Sequence, residues 1–96
     1  MARPLPLDDS ALDTWIAAHS GWRRAKDAIA KSYEFPDFAA ALAFVVRLGC
    51  GAERRDHHPD IELGWGRVRV AWSTHDARGV TALDLEAAEA TDQLRE

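Results

Sequence analysis

The sequence predicts an α+β fold in which helices alternate with antiparallel pairs of strands. Two runs of alternating apolar residues, Ile61–Trp65 and Val68–Trp72, are typical of half-buried strands. Gly64 and Gly66 supply a tight turn between these runs, as expected for a hairpin. Three other stretches carry apolar residues at helical spacing. These observations indicate a sheet accompanied by three helices.

The size and composition of the chain limit the class of protein. Its 96 residues suffice for one core and not for two, so residues 1–96 are predicted to form a single domain. Cys50 is the only cysteine, which excludes an intrachain disulfide and, with no secretory leader, favours the cytoplasm. A net charge of −4 gives no reason to bind nucleic acid. The apolar runs are shorter than the roughly 20 residues that cross a bilayer, so no membrane contact is expected.

The first part of the chain is predicted to contain a helix and two strands. The helix is expected to run from Ser10, which with Asp13 fits the spacing of a capping box, to Ala18. His19 follows it and is expected to face water without a chemical role. The strands are predicted at 22–25 and 28–35.

Two further helices are predicted from their end signals. The middle helix is expected to begin at Pro36, with Asp37 in its first turn, because proline and an acidic residue suit that end. Gly49 or Gly51 is expected to end it. The last helix is expected to begin at Thr81.

The middle helix is apolar over a wide arc. One stripe is expected to face the core, and the width of the arc leaves part of it available to a partner subunit. Cys50, near the end of the helix, is expected to be a small buried residue. The two stripes are Phe38, Leu42 and Val45, expected in the core, and the neighbouring Ala41, Phe44 and Leu48.

Three of the four histidines flank the predicted hairpin. His57 and His58 precede its first strand, and His75 follows its second. Because the start of one strand lies opposite the end of the other, we expect the three imidazoles at one end of the sheet. Asp84 stands three residues after Thr81, so it fits a capping box and could also orient a histidine.

Three roles are open for this cluster. A zinc site is the first, because imidazole and carboxylate groups are common zinc ligands. However, adjacent residues on an extended chain point to opposite faces, so His57 and His58 would share an ion only at a bend, and no metal site is predicted. General acid-base catalysis fits better, because one imidazole can deliver a proton while another removes one. In the third role the histidines only bond to neighbouring carbonyls.

The residue types and spacings from Glu53 to Asp84 resemble the signature of the pterin-4a-carbinolamine dehydratases. The entry to the middle helix, Phe35–Phe38, and the turn at Gly79 are similar to that family too. The resemblance implies an antiparallel four-stranded sheet with three helices packed on one face. The residues that carry the signature are Glu53, His57, His58, Pro59, Trp65, Thr74, His75, Asp76 and Asp84.

The resemblance also implies a reaction, the dehydration of 4a-hydroxytetrahydropterin to quinonoid dihydropterin. This reaction recycles the tetrahydrobiopterin used by aromatic amino acid hydroxylases and uses no cofactor. By resemblance His57 and His75 are the acid and the base, in either order, while His58 assists and Asp84 orients. The residues expected to contact the pterin are His57, His58, Pro59, Trp65, Thr74, His75 and Asp76.

An alternative function follows from the same resemblance. Members of the family also act as protein-binding modules, in coactivation or in the assembly of larger enzymes. The apolar face of the middle helix would then be the contact surface. In either case the resemblance implies a homodimer or homotetramer.

Overall fold

The predicted fold class is confirmed by a computed structural model that describes residues 4–95. These residues form three α-helices, one 3₁₀ turn and an antiparallel sheet of four strands in the order β1-β2-β4-β3. No helix among them is both long and apolar enough to cross a membrane. The elements are α1 (Asp9–Ala18), β1 (Arg23–Ala25), β2 (Ala28–Glu34), α2 (Phe38–Arg55), β3 (Asp60–Gly64), β4 (Arg67–Trp72), the 3₁₀ turn (His75–Ala77) and α3 (Ala82–Arg95).

The helices cover one face of the sheet. Strands β2 and β4 pair from Ile29 opposite Trp72 to Glu34 opposite Arg67, which joins the two hairpins into one sheet. Alternate residues of a strand point to the same face, so every second position enters the core. The core side chains are Ile29, Tyr33, Val68, Val70 and Trp72 from the sheet, and Leu12, Ala41, Phe44, Leu48, Ala52, Ala87 and Ala88 from the helices.

Helix α1 begins before the predicted position. Asp8 is its N-cap, because its carboxylate accepts a hydrogen bond from the Ala11 amide at 2.7 Å. Ser10 therefore lies inside the first turn, and the prediction that it caps the helix is wrong. His19 is half-buried instead of facing water. Its Nδ1 donates to the Trp15 carbonyl at 2.7 Å, and the two rings stack with centroids 3.9 Å apart.

Helix α2 is displaced from its predicted limits at both ends. It begins at Phe38 after an N-cap at Asp37, whose carboxylate accepts from Ala40 N at 2.8 Å, so Pro36 lies outside it. It continues through Gly49 and Gly51 to Arg55. The glycines do not end the helix, because Ala52 lies beyond both of them and its burial in the core stabilises another turn. Asp56, with φ of +52°, ends it.

The stripe of α2 that was expected in the core lies there only in part, because Val45 packs against the core while Phe38 and Leu42 are exposed. Phe44 and Leu48 are 0% and 3% exposed, whereas Phe38 and Leu42 are 44% and 43% exposed. Cys50 is also exposed, so its predicted burial is wrong. The sheet therefore packs mainly against the neighbouring stripe, Ala41, Phe44 and Leu48.

The β3–β4 hairpin turns through Trp65 and Gly66, between the paired residues Gly64 and Arg67. Gly66 has φ of +65°, and a Cβ on it would lie 2.9 Å from the Phe35 carbonyl oxygen, so the position requires glycine. Trp65 is 74% exposed and does not pack in the core.

Candidate active site

Two chain connections meet at the open end of the β3–β4 hairpin. Residues 57–59 lead from α2 into β3, and residues 73–81 lead from β4 into α3. Asp60 pairs with Ala71, so both connections lie at the same end of the sheet. Asp56 turns the chain out of α2 in a left-handed conformation, and His57 N donates to the Ala52 carbonyl at 3.2 Å.

A cavity of about 310 Å³ lies between these connections, and all three hairpin-flanking histidines line it. The expected grouping of these imidazoles at one end of the sheet is therefore found. The cavity walls are formed by Asp56, His57, His58, Ser73, Thr74, His75 and Asp76.

His57 is bound to Asp84. Its Nε2 lies 2.6 Å from Asp84 Oδ1, and the His57 side chain is 15% exposed while that of Asp84 is fully buried. The imidazole also stacks on Trp72, with ring centroids 5.2 Å apart and planes at 26°. A carboxylate accepts only, so Nε2 carries the hydrogen and, in the neutral ring, Nδ1 keeps its lone pair. The contact thus sets both the direction and the tautomer of the ring.

Asp84 also caps α3, as the sequence indicated. Its Oδ2 accepts from Thr81 N at 2.9 Å and from the Thr74 hydroxyl at 2.8 Å. With His57, three donors reach the two carboxylate oxygens. The carboxylate therefore connects the start of α3 to both chain connections at the site.

His58 and Glu53 form a second pair at the rim of the cavity. His58 Nε2 lies 2.6 Å from Glu53 Oε1, and the side chains are 54% and 80% exposed. Exposed pairs of this kind add little stability. The contact does hold the His58 ring in place, and Glu53 can make it because α2 extends beyond its predicted end.

His75 stands on the 3₁₀ turn and is exposed. The turn is closed by Thr74 and Gly79, whose backbones exchange hydrogen bonds of 2.9 and 3.4 Å. Arg78 takes the left-handed conformation, with φ of +57°, that lets the chain return. His75 is thus presented on a short closed loop opposite His57.

The remaining expected contact residues differ in their placement. Asp76 and Thr74 line the cavity, whereas Pro59 is in the connection to β3 and is not among the lining residues. Trp65 is at the hairpin tip, at the opposite end of β3 from the histidines, so the structure does not bring it to the site. Ser73 and Asp56 line the cavity but were not among the predicted site residues, although both adjoin residues that were.

A metal ion does not suit the ring directions. His57 Nε2 is directed at Asp84, and His58 Nε2 is directed at Glu53. In the part of the chain that the structure describes, no three His, Cys, Asp or Glu side chains lie close enough to hold one ion.

A larger cavity, about 420 Å³, lies beside β1 and β2. Its charged lining is Arg23, Arg24, Lys31 and Arg69, with no histidine or carboxylate. Proton transfer at neutral pH requires groups that titrate there, which arginine and lysine do not supply. A third cavity, about 520 Å³ beside Asp60 and Glu62, also has no histidine in its lining. The cavity that the three histidines line is therefore the candidate active site.

A comparison with known protein families shows to which family the chain that carries this site belongs. Residues 5–94 match the family model described as pterin 4 alpha carbinolamine dehydratase. The chain belongs to the pterin-4a-carbinolamine dehydratase family. Two bacterial relatives bear the family's name, with the activity assigned to them provisionally. The one from Rhizorhabdus wittichii is 46% identical over 93 residues, covering 95% of this chain and 96% of its own. The one from Rhodospirillum rubrum is 40% identical over 90 residues, covering 92% and 94%.

Two solved structures share the fold of this chain. The crystal structure of a transcriptional coactivator/pterin dehydratase from Brucella melitensis superposes with a TM-score of 0.89 at 32% identity, covering 95% of this chain and 99% of that one. A pterin dehydratase-like protein identified as a RuBisCO assembly factor in the alpha-carboxysome gives a TM-score of 0.68 at 24% identity, covering 80% and 92%. The second likeness concerns the fold alone.

Proposed function

We propose that this protein dehydrates 4a-hydroxytetrahydropterin to quinonoid dihydropterin by general acid-base catalysis with histidines. The observation that carries the proposal is the pairing of His57 with the buried Asp84 at the wall of a cavity that His58 and His75 also line. Family membership supports the same reaction. The reaction would regenerate the reduced pterin that aromatic amino acid hydroxylases consume.

The reaction requires two proton transfers. A proton added to the 4a oxygen lets that oxygen leave as water, and removal of the N5 hydrogen supplies the electron pair for the new C4a=N5 bond. One proton enters and one is removed, so the enzyme returns to its starting state after a proton exchange with water. Imidazoles suit both steps at neutral pH.

The surroundings of the histidines favour one assignment. His57 keeps the Nδ1 lone pair, and the Asp84 carboxylate would stabilise the imidazolium that forms when Nδ1 accepts a proton. We therefore assign the base to His57. His75, exposed on its loop, can take protons from solvent and acts as the acid. His58, Thr74 and Asp76, which line the cavity, contact the pterin, together with Pro59 next to His58 in the chain.

The proposal is tested with chelator-treated protein and chemically generated 4a-hydroxytetrahydropterin, whose decay is followed spectroscopically. His57→Gln and His75→Gln should each slow the enzymatic reaction by about 10²- to 10⁴-fold. His19→Gln is the matched control, because His19 stacks on Trp15 away from the cavity, and its rate should equal that of the wild type. Full activity in both test variants would contradict the proposal.

The exposed apolar stripe of α2 supports self-association into a homodimer or homotetramer. Phe38, Leu42 and Val46 recur every four residues and are 44%, 43% and 56% exposed. Side chains at this spacing lie in one row along a helix and can interdigitate with a second copy. Light scattering should give a multiple of 10.6 kDa for the wild type and a smaller mass for Leu42→Glu. Equal masses would exclude this surface.

The same stripe supports the second candidate function, a protein-binding module. A binding module needs no intact histidine site, so an assay of dehydratase activity distinguishes the two functions. A wild-type protein that leaves the decay of 4a-hydroxytetrahydropterin unchanged would favour the binding module over the dehydratase.

A further inference from the structure

We infer that Thr81 is a positioning residue for His57, acting through Thr74 and Asp84. This inference rests on the proposed function, in which His57 is the base. Thr81 lies outside the cavity lining and is fully buried, so it acts at a distance from the substrate.

A continuous row of hydrogen bonds joins Thr81 to the imidazole. Thr81 Oγ1 lies 2.8 Å from Thr74 Oγ1, Thr74 Oγ1 lies 2.8 Å from Asp84 Oδ2, and Asp84 Oδ1 lies 2.6 Å from His57 Nε2. Thr81 and Asp84 are 0% exposed and Thr74 is 9% exposed. Water therefore does not compete for the buried hydroxyls.

The direction of each bond follows from the number of hydrogens available. The carboxylate only accepts, so Thr74 must give its single hydroxyl hydrogen to Asp84. Thr74 has none left for Thr81, so the Thr81 hydroxyl donates to Thr74. The Thr81 oxygen in turn accepts from the Leu83 amide at 3.2 Å. These bonds therefore have one polarity from the first turn of α3 to Asp84, which also accepts the hydrogen bond that His57 donates from the other side.

This polarity explains how Thr81 can affect a ring that it does not touch. With the Thr81 hydroxyl in place, the Thr74 oxygen is occupied by a donor and its own hydrogen is directed at Asp84 Oδ2. Without that hydroxyl, Thr74 loses a donor in a buried setting and its rotamer is no longer held. Asp84 keeps the Thr81 backbone amide but is less firmly oriented. His57 should then sample the other tautomer, with the hydrogen on Nδ1, which cannot accept the N5 proton.

The test uses Thr81→Val, which removes the hydroxyl at nearly constant volume, and Thr81→Ser, which retains it. In ¹⁵N NMR of the resting protein, the wild type and Thr81→Ser should show neutral His57 as the Nε2–H tautomer. Thr81→Val should show a mixture with Nδ1–H. Its kcat should fall on the order of tenfold with KM little changed, as for loss of an outer orienting partner. Thr81→Ala is the second variant if Thr81→Val does not fold.

Tyr33→Phe is the control. Tyr33 is another buried residue, and its hydroxyl donates to Asp92 near the other end of α3, away from His57 and Trp72. Loss of this hydroxyl should lower the melting temperature, as Thr81→Val does, and leave the His57 tautomer unchanged.

Three results would overturn the inference. They are an unchanged tautomer in both hydroxyl-free Thr81 variants, no recovery in Thr81→Ser, or an equal tautomer change in Tyr33→Phe. The NMR readout needs no turnover. A protein without dehydratase activity would therefore refute the proposed function without deciding whether Thr81 positions the ring.

Discussion

The Tyr33 phenol donates a hydrogen bond to the Asp92 carboxylate, at 2.5 Å. Lys31 donates to the same carboxylate at 2.8 Å, and the Trp22 indole at 3.0 Å. Asp92 lies near the end of α3, and its three partners lie in β2 and just before β1. This group anchors one end of α3 to the sheet, while Asp84 anchors the other end to the candidate site.

We expect Asp92 to make stability depend on acid pH. Burial alone would raise its pKa, but the hydrogen bonds from Lys31, Tyr33 and Trp22 lower the pKa below the usual value. A carboxyl whose pKa is lower in the folded state stabilises the fold above its unfolded pKa of 3.8, and this stabilisation is lost as the pH falls through the folded pKa. Thermal melts from about pH 5 downward should therefore show a weaker pH dependence in Asp92→Asn than in the wild type.

The control for this prediction is Glu86→Gln. Glu86 is an exposed carboxylate of the same helix. Its removal should leave the acid dependence in place. If the melting temperature of Asp92→Asn depends on pH as strongly as that of the wild type, other carboxylates cause the acid dependence.

We expect Tyr33 to resist ionisation at alkaline pH. Burial of the phenol raises its pKa above the usual 10, and the hydrogen bond to Asp92 raises it further. A raised folded-state pKa means that this stabilisation is complete below the unfolded pKa of 10 and is lost as the pH rises toward the folded value. Tyr33 is the only tyrosine, so tyrosinate absorbance reports it alone, and Tyr33→Phe supplies the baseline. Ionisation at pH 10 in the folded protein would contradict the expectation.

Asp84→Asn should separate orientation of His57 from the fold. The asparagine amide places a donor where the carboxylate accepts three hydrogen bonds, so one buried partner loses its acceptor. We expect a loss of about 1–3 kcal/mol in the free energy of unfolding. We also expect kcat to fall by about 10²-fold or more, because the His57 imidazolium is no longer stabilised. Asp60→Asn, an exposed change at the start of β3, should keep wild-type kcat.

Leu48→Ala and Leu42→Ala should differ in stability, although both residues lie in α2. Leu48 is 3% exposed in the core, so its truncation should cost about 2–5 kcal/mol in the free energy of unfolding. Leu42 is 43% exposed, and its truncation should cost less than about 1 kcal/mol in the single chain. Chemical denaturation of both variants measures the difference. A larger loss for Leu42→Ala would mean that the core faces the other stripe.

The strands could be predicted from the sequence because their signals are local. The β3–β4 turn is marked by Gly66, and the apolar alternation on either side fixes which face is buried. The helix limits could not be predicted in the same way. Gly49 and Gly51 are local stop signals, but the burial of Ala52 against the sheet overrides them. Both stripes of α2 are apolar, so only the position of the sheet decides which of them enters the core.

The candidate site shows the same division. The meeting of His57, His58 and His75 at one end follows from antiparallel geometry, which the sequence supplies. The link from Thr81 to Thr74 depends on side-chain directions across a closed loop, for which spacing gives no signal. Trp65 belongs to the family signature, but signature membership did not place it near the histidines.

The exposed hairpin tip gives a practical consequence. Trp65 is separated from the cavity by the five residues of β3, about 16 Å at roughly 3.3 Å per residue. A dye attached through Trp65→Cys, in a chain whose exposed Cys50 is replaced by serine, would face solvent and stay clear of the histidines. Single-molecule fluorescence from that label could then count the copies in each particle while the histidine-lined cavity stays unmodified.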